Sequence, residues 1–247
     1  MRIGIIGGTG IYDMQGDTLD VETSYGTVTV TRIMHEDREL FFLPRHGATH
    51  GIPPHRINHH ANVQALRNCG VTRVLAVSTV GSMRQGVQPG GLVVPIDFID
   101  FTGIATFFDD APVHVDMTQP FCPQTRQVLL DAASSKGSVS EGVYITTSGP
   151  RFETPAEIEM LKQHGDVVGM TLGPEATLAR EAGMCYASLC VVSNMAAGLQ
   201  TGLTAEEIAS IYEEMRDVAV GILLHTATAL PEERDCTCST AVSRGSL

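Results

Sequence analysis

What this chain lacks narrows it first. None of its 247 residues belongs to an apolar run of the roughly 18–20 residues that a membrane-spanning helix needs. The apolar start, RIGIIG, is short and ends in glycines. It reads as a first strand rather than a secretory leader, which needs a longer apolar region and a cleavage site. A cytoplasmic protein is expected. Basic residues are scarce, 16 Lys and Arg against 28 Asp and Glu, and the net charge is −12. With no basic run there is no electrostatic footprint for nucleic acid. Any anion site must be built from a few placed residues. Internal repeats and long linkers are also absent. Of six cysteines, Cys69, Cys122, Cys185 and Cys190 are scattered and read as separate buried thiols. Cys236 and Cys238 form a C-T-C pair in the tail, too few by themselves for zinc.

Short strand-like and helix-like segments alternate along the rest. RIGIIG and RVLAVSTVGSM read as buried strands, and so do GGLVVPIDFIDFT, GVYITTSG, DVVGMTLG and CYASLCVVSNMAAG. VETSYGTVTVTRIMHEDRELFFLP alternates with period two and reads as antiparallel strands. NHHANVQALRNCG, PQTRQVLLDAASSKG, TPAEIEMLKQHG, PEATLAREAG and a long segment from Thr204 read as helices. Thr154 with Glu157 makes a capping box. The pattern predicts a single-domain α/β fold, with a mixed, mostly parallel sheet flanked by helices. The domain is expected over 1–230, followed by a polar tail, 231–247, that takes its order only from a partner.

The glycine turn in IGIIGGTGIY, residues 3–12, suits an anion. A dinucleotide fingerprint would need a helix next, and a hairpin pattern follows instead. A P-loop would need Gly-Lys-Ser/Thr, which is missing. A small anion held by backbone amides and the Thr9 hydroxyl fits better. LPRHGATHGIPPHRINHHAN adds Arg45, His46, His50, His55, His59 and His60. Arginine offers a fork of donors for an oxyanion. His46 and His50 are four apart, but Gly47, Gly51, Pro53 and Pro54 oppose a helix, and there is no HExxH, so zinc is disfavoured. Ser78 and Thr79 in AVSTVGSM and Thr171 in GMTLGPE put hydroxyls at expected strand ends. Phe152, Glu153 and Asn194 supply a ring, a carboxylate and an amide, which suit a flat heterocycle carrying N–H groups.

Taken in order, GGTG, RHG…H, STVGS, GPRFET, VGMT…PE and SNMAAG resemble the trimeric purine nucleoside phosphorylases and methylthioadenosine phosphorylases, over residues 3 to about 230. Among these the chain is most similar to the 6-oxopurine-specific, methylthioinosine phosphorylase-like members. The resemblance implies phosphorolysis of a purine nucleoside, with inorganic phosphate as co-substrate and no metal or organic cofactor. It implies a homotrimer or a dimer of trimers, with no nucleic-acid or membrane partner. Thr9, Arg45, His46, Ser78, Thr79 and Thr171 would hold phosphate, with His50 assisting. The residue matching Thr79 is often an alanine that acts through its N–H. Met170 would lie against the ribose, and Phe152, Glu153, Asn194 and Ala196 around the base. Asn194, Glu153 and His46 would carry the catalytic roles. His114 would reach a neighbouring subunit's site.

Adenine-selective members carry Asp and Ser where this chain has Asn194 and Glu153, which implies a 6-oxopurine. The alignment of LTAEEI puts Ala205 where the 5′ substituent is sensed, which implies 5′-methylthioinosine. Inosine or guanosine, and methylthioadenosine, stay open as alternatives. So do a non-catalytic nucleoside or phosphate sensor on this fold and a metal-dependent hydrolase built on the His-rich loop.

Overall fold

The computed structural model describes residues 1–8, 14–49, 51–202 and 204–246. Nine strands form one sheet in the order β2-β3-β4-β1-β5-β8-β7-β6-β9, and β9 also pairs with β5. The strands are β1 (Arg2–Gly7), β2 (Asp17–Thr23), β3 (Gly26–His35), β4 (Arg38–Pro44), β5 (Arg73–Ser82), β6 (Leu92–Asp100), β7 (Val139–Thr146), β8 (Val167–Gly169) and β9 (Cys185–Met195). The β5–β9 pairing closes β5, β8, β7, β6 and β9 into a ring. β4, β1, β5 and β9 run parallel as neighbours. β2, β3 and β4 form the expected antiparallel meander. The mixed α/β architecture predicted from the alternating pattern is therefore present.

Helices cover the sheet, and their ends follow local chemistry. α1 (His59–Asn68) starts where the Asn58 side chain accepts the Ala61 N–H. α2 (Pro123–Ser134) has proline in its first turn, where the missing N–H costs nothing. α3 (Pro155–Leu161) carries the Thr154–Glu157 capping box. α4 (Leu172–Glu181) begins two residues before PEATLAREAG, with Thr171 as N-cap. α5 (Ala205–Ala229) has a second capping box, Thr204 with Glu207. Apolar clusters on the two sheet faces make the core. Val74, Ala76, Leu178 and Tyr186 belong to one, and Leu75, Val77, Leu189 and Ile222 to the other. No described helix is long and apolar enough to cross a membrane.

The tail corrects an expectation. Residues 232–246 do not wait for a partner to be ordered. Buried Arg73 donates to the carbonyls of Pro231 and Glu233 at 2.6 and 2.7 Å. A short helix, α6 (Ala241–Gly245), then brings the chain end back to His114, whose N–H donates to the Gly245 carbonyl at 2.9 Å. A buried guanidinium needs acceptors, and in Arg73 the tail's carbonyls supply them.

Candidate active site

Strand lengths create the site. β1 stops at Gly7, paired with Pro44 of β4, and its pairing with β5 ends at Ala76. Residues just past these points, Gly8, Arg45 and Ser78, stand together at the carboxyl ends of neighbouring parallel strands, where open α/β sheets bind ligands. β5 itself runs on to Ser82. Ser78 and Thr79 are therefore mid-strand, contrary to the expectation of a strand end. They are uncovered because β1 is shorter. A cavity of about 730 Å³ opens here, lined by Gly8, Arg45, His46, Ser78, Thr79, Phe152, Glu153, Met170, Thr171, Asn194 and Ala196 among others. Residues separated by up to 201 positions, from Gly8 to Ala209, thus face one space. Thr9, His50 and the Ala205 side chain lie outside the described residues. His114 does not line this cavity; it is exposed beside the tail.

Arg45 departs from the sequence reading. Its fork is already taken: Nε and Nη2 donate to Glu175 at 2.5 and 2.9 Å, and Nη1 to the Val77 carbonyl at 2.8 Å. Side-chain exposure of the pair is 1% and 0%, so each ion needs the other. Five donors less three leave one N–H on each terminal nitrogen for a ligand. Burial opposes charging Arg45, but the Glu175 carboxylate outweighs it and raises the guanidinium pKa. Burial likewise opposes ionising Glu175, and Arg45 reverses that, holding the carboxyl below its ordinary range. Tyr186 adds an O–H donor at 2.8 Å. Gly8 packs against this group. A Cβ there would lie 2.7 Å from the Val77 oxygen and 3.0 Å from Nη1.

Sequence reasoning missed Glu175 as a partner. The available signal was an acid in the first turn of an otherwise apolar helix, PEATLA.

The hydroxyls of Ser78 and Thr171 lie 3.3 Å apart, both buried. Thr171 is the N-cap of α4 yet caps no backbone amide. Its side chain and the positive end of the helix therefore both suit an anion. The His46 Nδ1 lies 2.9 Å from the Ile52 carbonyl. A carbonyl only accepts, so Nδ1 carries the proton and the contact ties His46 to Ile52.

The His-rich stretch divides. His55, His59 and His60 line a second cavity of about 510 Å³. His59 Nδ1 lies 3.7 Å from Glu175, but burial pushes its pKa down to about 4. The ring is therefore neutral, and the contact is not an ion pair at neutral pH. His60 binds the Thr106 carbonyl at 2.8 Å. Among the described residues these histidines form no group of three or more metal-holding ligands.

At the other group, Thr147 Oγ1 donates to Glu153 Oε1 at 2.6 Å, leaving Oε2 for a donor from outside. The Asn194 amide is oriented by its neighbours. Nδ2 donates to the Met195 carbonyl at 2.9 Å and Oδ1 accepts from Ser193 at 2.8 Å. One N–H and one lone pair remain. Nδ2 sits beside Gly81, where a Cβ would come within 3.1 Å. Phe152 is 41% exposed at the rim. The four residue steps from Val77, beside Arg45, to Gly81, beside Asn194, span roughly 13 Å of strand.

The structure also brings Cys122 and Cys185 together with Cys236 and Cys238. The sequence had kept these two pairs apart.

Comparison with known proteins agrees with this geometry. Residues 2–228 match the model of the phosphorylase superfamily. A Methanopyrus kandleri protein named probable S-methyl-5′-thioinosine phosphorylase is 45% identical over 98% of this chain and 97% of its own. The Pyrococcus furiosus 6-oxopurine nucleoside phosphorylase is 43% identical over 98% and 97%. A Schistosoma mansoni methylthioadenosine phosphorylase structure in complex with tubercidin superposes with a TM-score of 0.91, at 32% identity, over 98% of this chain and 96% of that one. The matches run over nearly the whole chain, including the ends of β1, β4 and β5 and the segments that carry Glu153, Thr171 and Asn194, and the chain belongs to the phosphorylase superfamily.

Proposed function

We propose that this chain catalyses phosphorolysis of a 6-oxopurine nucleoside, with 5′-methylthioinosine as the preferred substrate. The observation that carries the reading is a single cavity faced by two different sets of polar groups. One set, Arg45, Ser78, Thr171 and the α4 N-terminus, suits a phosphate. The other, Glu153 and Asn194, suits a purine edge. About 13 Å of strand separates them, room for a ribosyl unit between base and phosphate. Thr9, His46 and Thr79 complete the phosphate set in this reading, and Met170 meets the sugar.

A phosphate oxygen bonds C1′ while N9 leaves with the electrons of the glycosidic bond. Positive charge grows on the ribosyl carbon and negative charge on the base. Phosphate fixed below C1′ serves as nucleophile and counter-charge. The free Asn194 N–H donates to N7, where negative charge gathers, so it binds the transition state more tightly than the ground state. Glu153 Oε2 accepts N1–H of a 6-oxopurine; adenine offers only a lone pair there. Ile208 and Ala209 of α5 line the cavity. An apolar wall supports a methylthio group over a 5′-hydroxyl. No cofactor beyond phosphate takes part. The reading includes a cytoplasmic homotrimer in which His114 reaches a neighbour's site.

Product analysis tests the proposal. Methylthioinosine, inosine, guanosine and methylthioadenosine are each incubated with and without phosphate. Hypoxanthine and methylthioribose 1-phosphate, formed only with phosphate and fastest from methylthioinosine, are the expected result. Free ribose in phosphate-free buffer would mean a hydrolase, and binding without turnover a sensor. A lead for inosine would leave phosphorolysis standing and overturn the 5′ assignment. Sedimentation of the active species reads the trimer.

A further inference from the structure

We infer that Cys122, Cys185, Cys236 and Cys238 form a structural zinc site that clasps the C-terminal tail to the body of the protein, independently of the function proposed above. The four Sγ atoms all lie within 4.8 Å of one another, and none is in a disulfide. Cys185 and Cys236 are 3.4 Å apart. Zinc–thiolate bonds of about 2.3 Å put the corners of a tetrahedron about 3.8 Å apart, so the cluster is close to the size that a four-thiolate ion requires. The donors come from three separate places. Cys122 is the residue before α2, Cys185 opens β9, and Cys236 and Cys238 lie in the tail. Three of the four are buried. Four thiols packed this closely form an unusual polar cluster, and a soft divalent cation satisfies all four at once.

The surroundings suit the charge. Four thiolates around Zn²⁺ carry −2, and binding releases four protons. Buried Arg180 places Nη1 3.2 Å from Cys238 Sγ. The positive end of α2 and the Thr125 backbone N–H face Cys122. The Thr125 hydroxyl, buried without a nitrogen or oxygen partner, lies beside the same sulfur. Such outer contacts orient ligand sulfurs and hold their charge.

The clasp reaches a second region. Arg180 also donates to the Asp116 carbonyl at 3.0 Å, and the tail pairs with Val113 through Ser246. Fixing Cys236 and Cys238 therefore also fixes the stretch carrying His114.

The test uses the full, untagged chain, expressed with zinc supplied and purified without chelator. Elemental analysis should give one zinc per chain, with six titratable thiols after denaturation in chelator. Cobalt exchange should give the ligand-field and charge-transfer absorption of a tetrahedral thiolate site. Cys238→Ser should lose at least about tenfold in zinc retained against a competing chelator, whereas Cys69→Ser keeps it. If Cys238→Ser fails to fold, Cys236→His, at the least buried position, supplies a Cys₃His donor set and should retain zinc and a shifted cobalt spectrum. In the loaded protein, hydrogen exchange at 235–246 and 113–116 should be slow, and chelator should speed both. No bound metal, with either six free thiols and no cobalt spectrum or two disulfides by non-reducing mass analysis, overturns the assignment. So does zinc that survives Cys238→Ser undiminished.

Discussion

Replacing Arg45 by alanine should damage the fold before it damages phosphate binding. Glu175 has no exposed side-chain surface and takes two of its hydrogen bonds from Arg45. Without the guanidinium it keeps only the Tyr186 O–H and a neutral His59 nearby. Breaking a buried pair by deleting one partner costs about 3–5 kcal/mol. At 2–4 °C per kcal/mol for a domain of this size, the melting temperature should fall by roughly 6–20 °C.

The loss should depend on pH with a definite sign. In the native protein the Glu175 pKa is lowered. The pair's contribution is therefore fully present above the unfolded carboxylate pKa and is lost as pH falls through the folded value. In Arg45→Ala burial is opposed mainly by the single Tyr186 hydrogen bond, and the folded pKa rises above the unfolded one. The variant's deficit then opens as pH climbs past the unfolded value and saturates at the folded one. Calorimetry at neutral pH and near the ordinary carboxylate pKa should show the gap between the two proteins narrowing on acidification. Arg45→Met/Glu175→Gln, which removes both charges and leaves Tyr186 an acceptor, should recover most of the stability but not the phosphate affinity. A single Arg45→Ala variant that melts like the parent at neutral pH would refute the reasoning, because Glu175 would then have to be solvated or unpaired already.

Three further outcomes follow from the cavity. Thr171→Ala should raise the phosphate KM about 10- to 100-fold with little change in the nucleoside KM, the worth of one hydrogen bond to a charged group; initial rates over a phosphate series read it. Asn194→Asp should shift kcat/KM toward 6-aminopurine nucleosides by roughly 10- to 100-fold. It should also cost about 1–3 kcal/mol in stability, because a carboxylate oxygen would then face the Met195 carbonyl that Nδ2 now meets at 2.9 Å. Ile208→Asn should narrow the ratio of kcat/KM for methylthioinosine over inosine by about tenfold, measured on both substrates in one phosphate buffer.

What the sequence disclosed, and what it withheld, follows the range of the interactions. Asn58, Thr154 and Thr204 announce helices because a cap is a contact across three residues. The β2–β4 meander was readable because period two and short turns are local. The start of α4 was misread by two residues. Leu172 and Gly173 look like the end of a strand, and only the burial of Leu172 under the sheet draws them into the helix. Ser78 and Thr79 were singled out as strand-end hydroxyls, but they line the cavity from mid-strand. They are accessible because another strand stops short, a fact about β1 that β5 does not carry.

The two features that sequence could not supply are both long-range neutralisations. Arg45 and Glu175 stand 130 positions apart, and each looks ordinary alone: a basic residue in a loop, an acid in a helix's first turn. The fold turns them into one neutral unit that lines the cavity and keeps two N–H groups uncommitted to protein acceptors. A phosphate bound there therefore meets hydrogen-bond donors more than a bare positive charge. This is consistent with a chain whose net charge is −12. Its affinity for an anion has to come from geometry, and geometry near Gly8 leaves no room for a Cβ. The cysteines repeat the pattern at the opposite end of β9. Cys185 opens that strand and Asn194 nearly closes it. The proposed tail clasp at one end and the amide proposed to meet the base at the other are joined by a strand buried along its whole length. Its parallel partner β5 carries Ser78 and Thr79. In the proposed reading the β5–β9 pair is thus the element common to the anion set, the base set and the tail clasp, and its register, more than any loop, sets how far apart the two substrates are held.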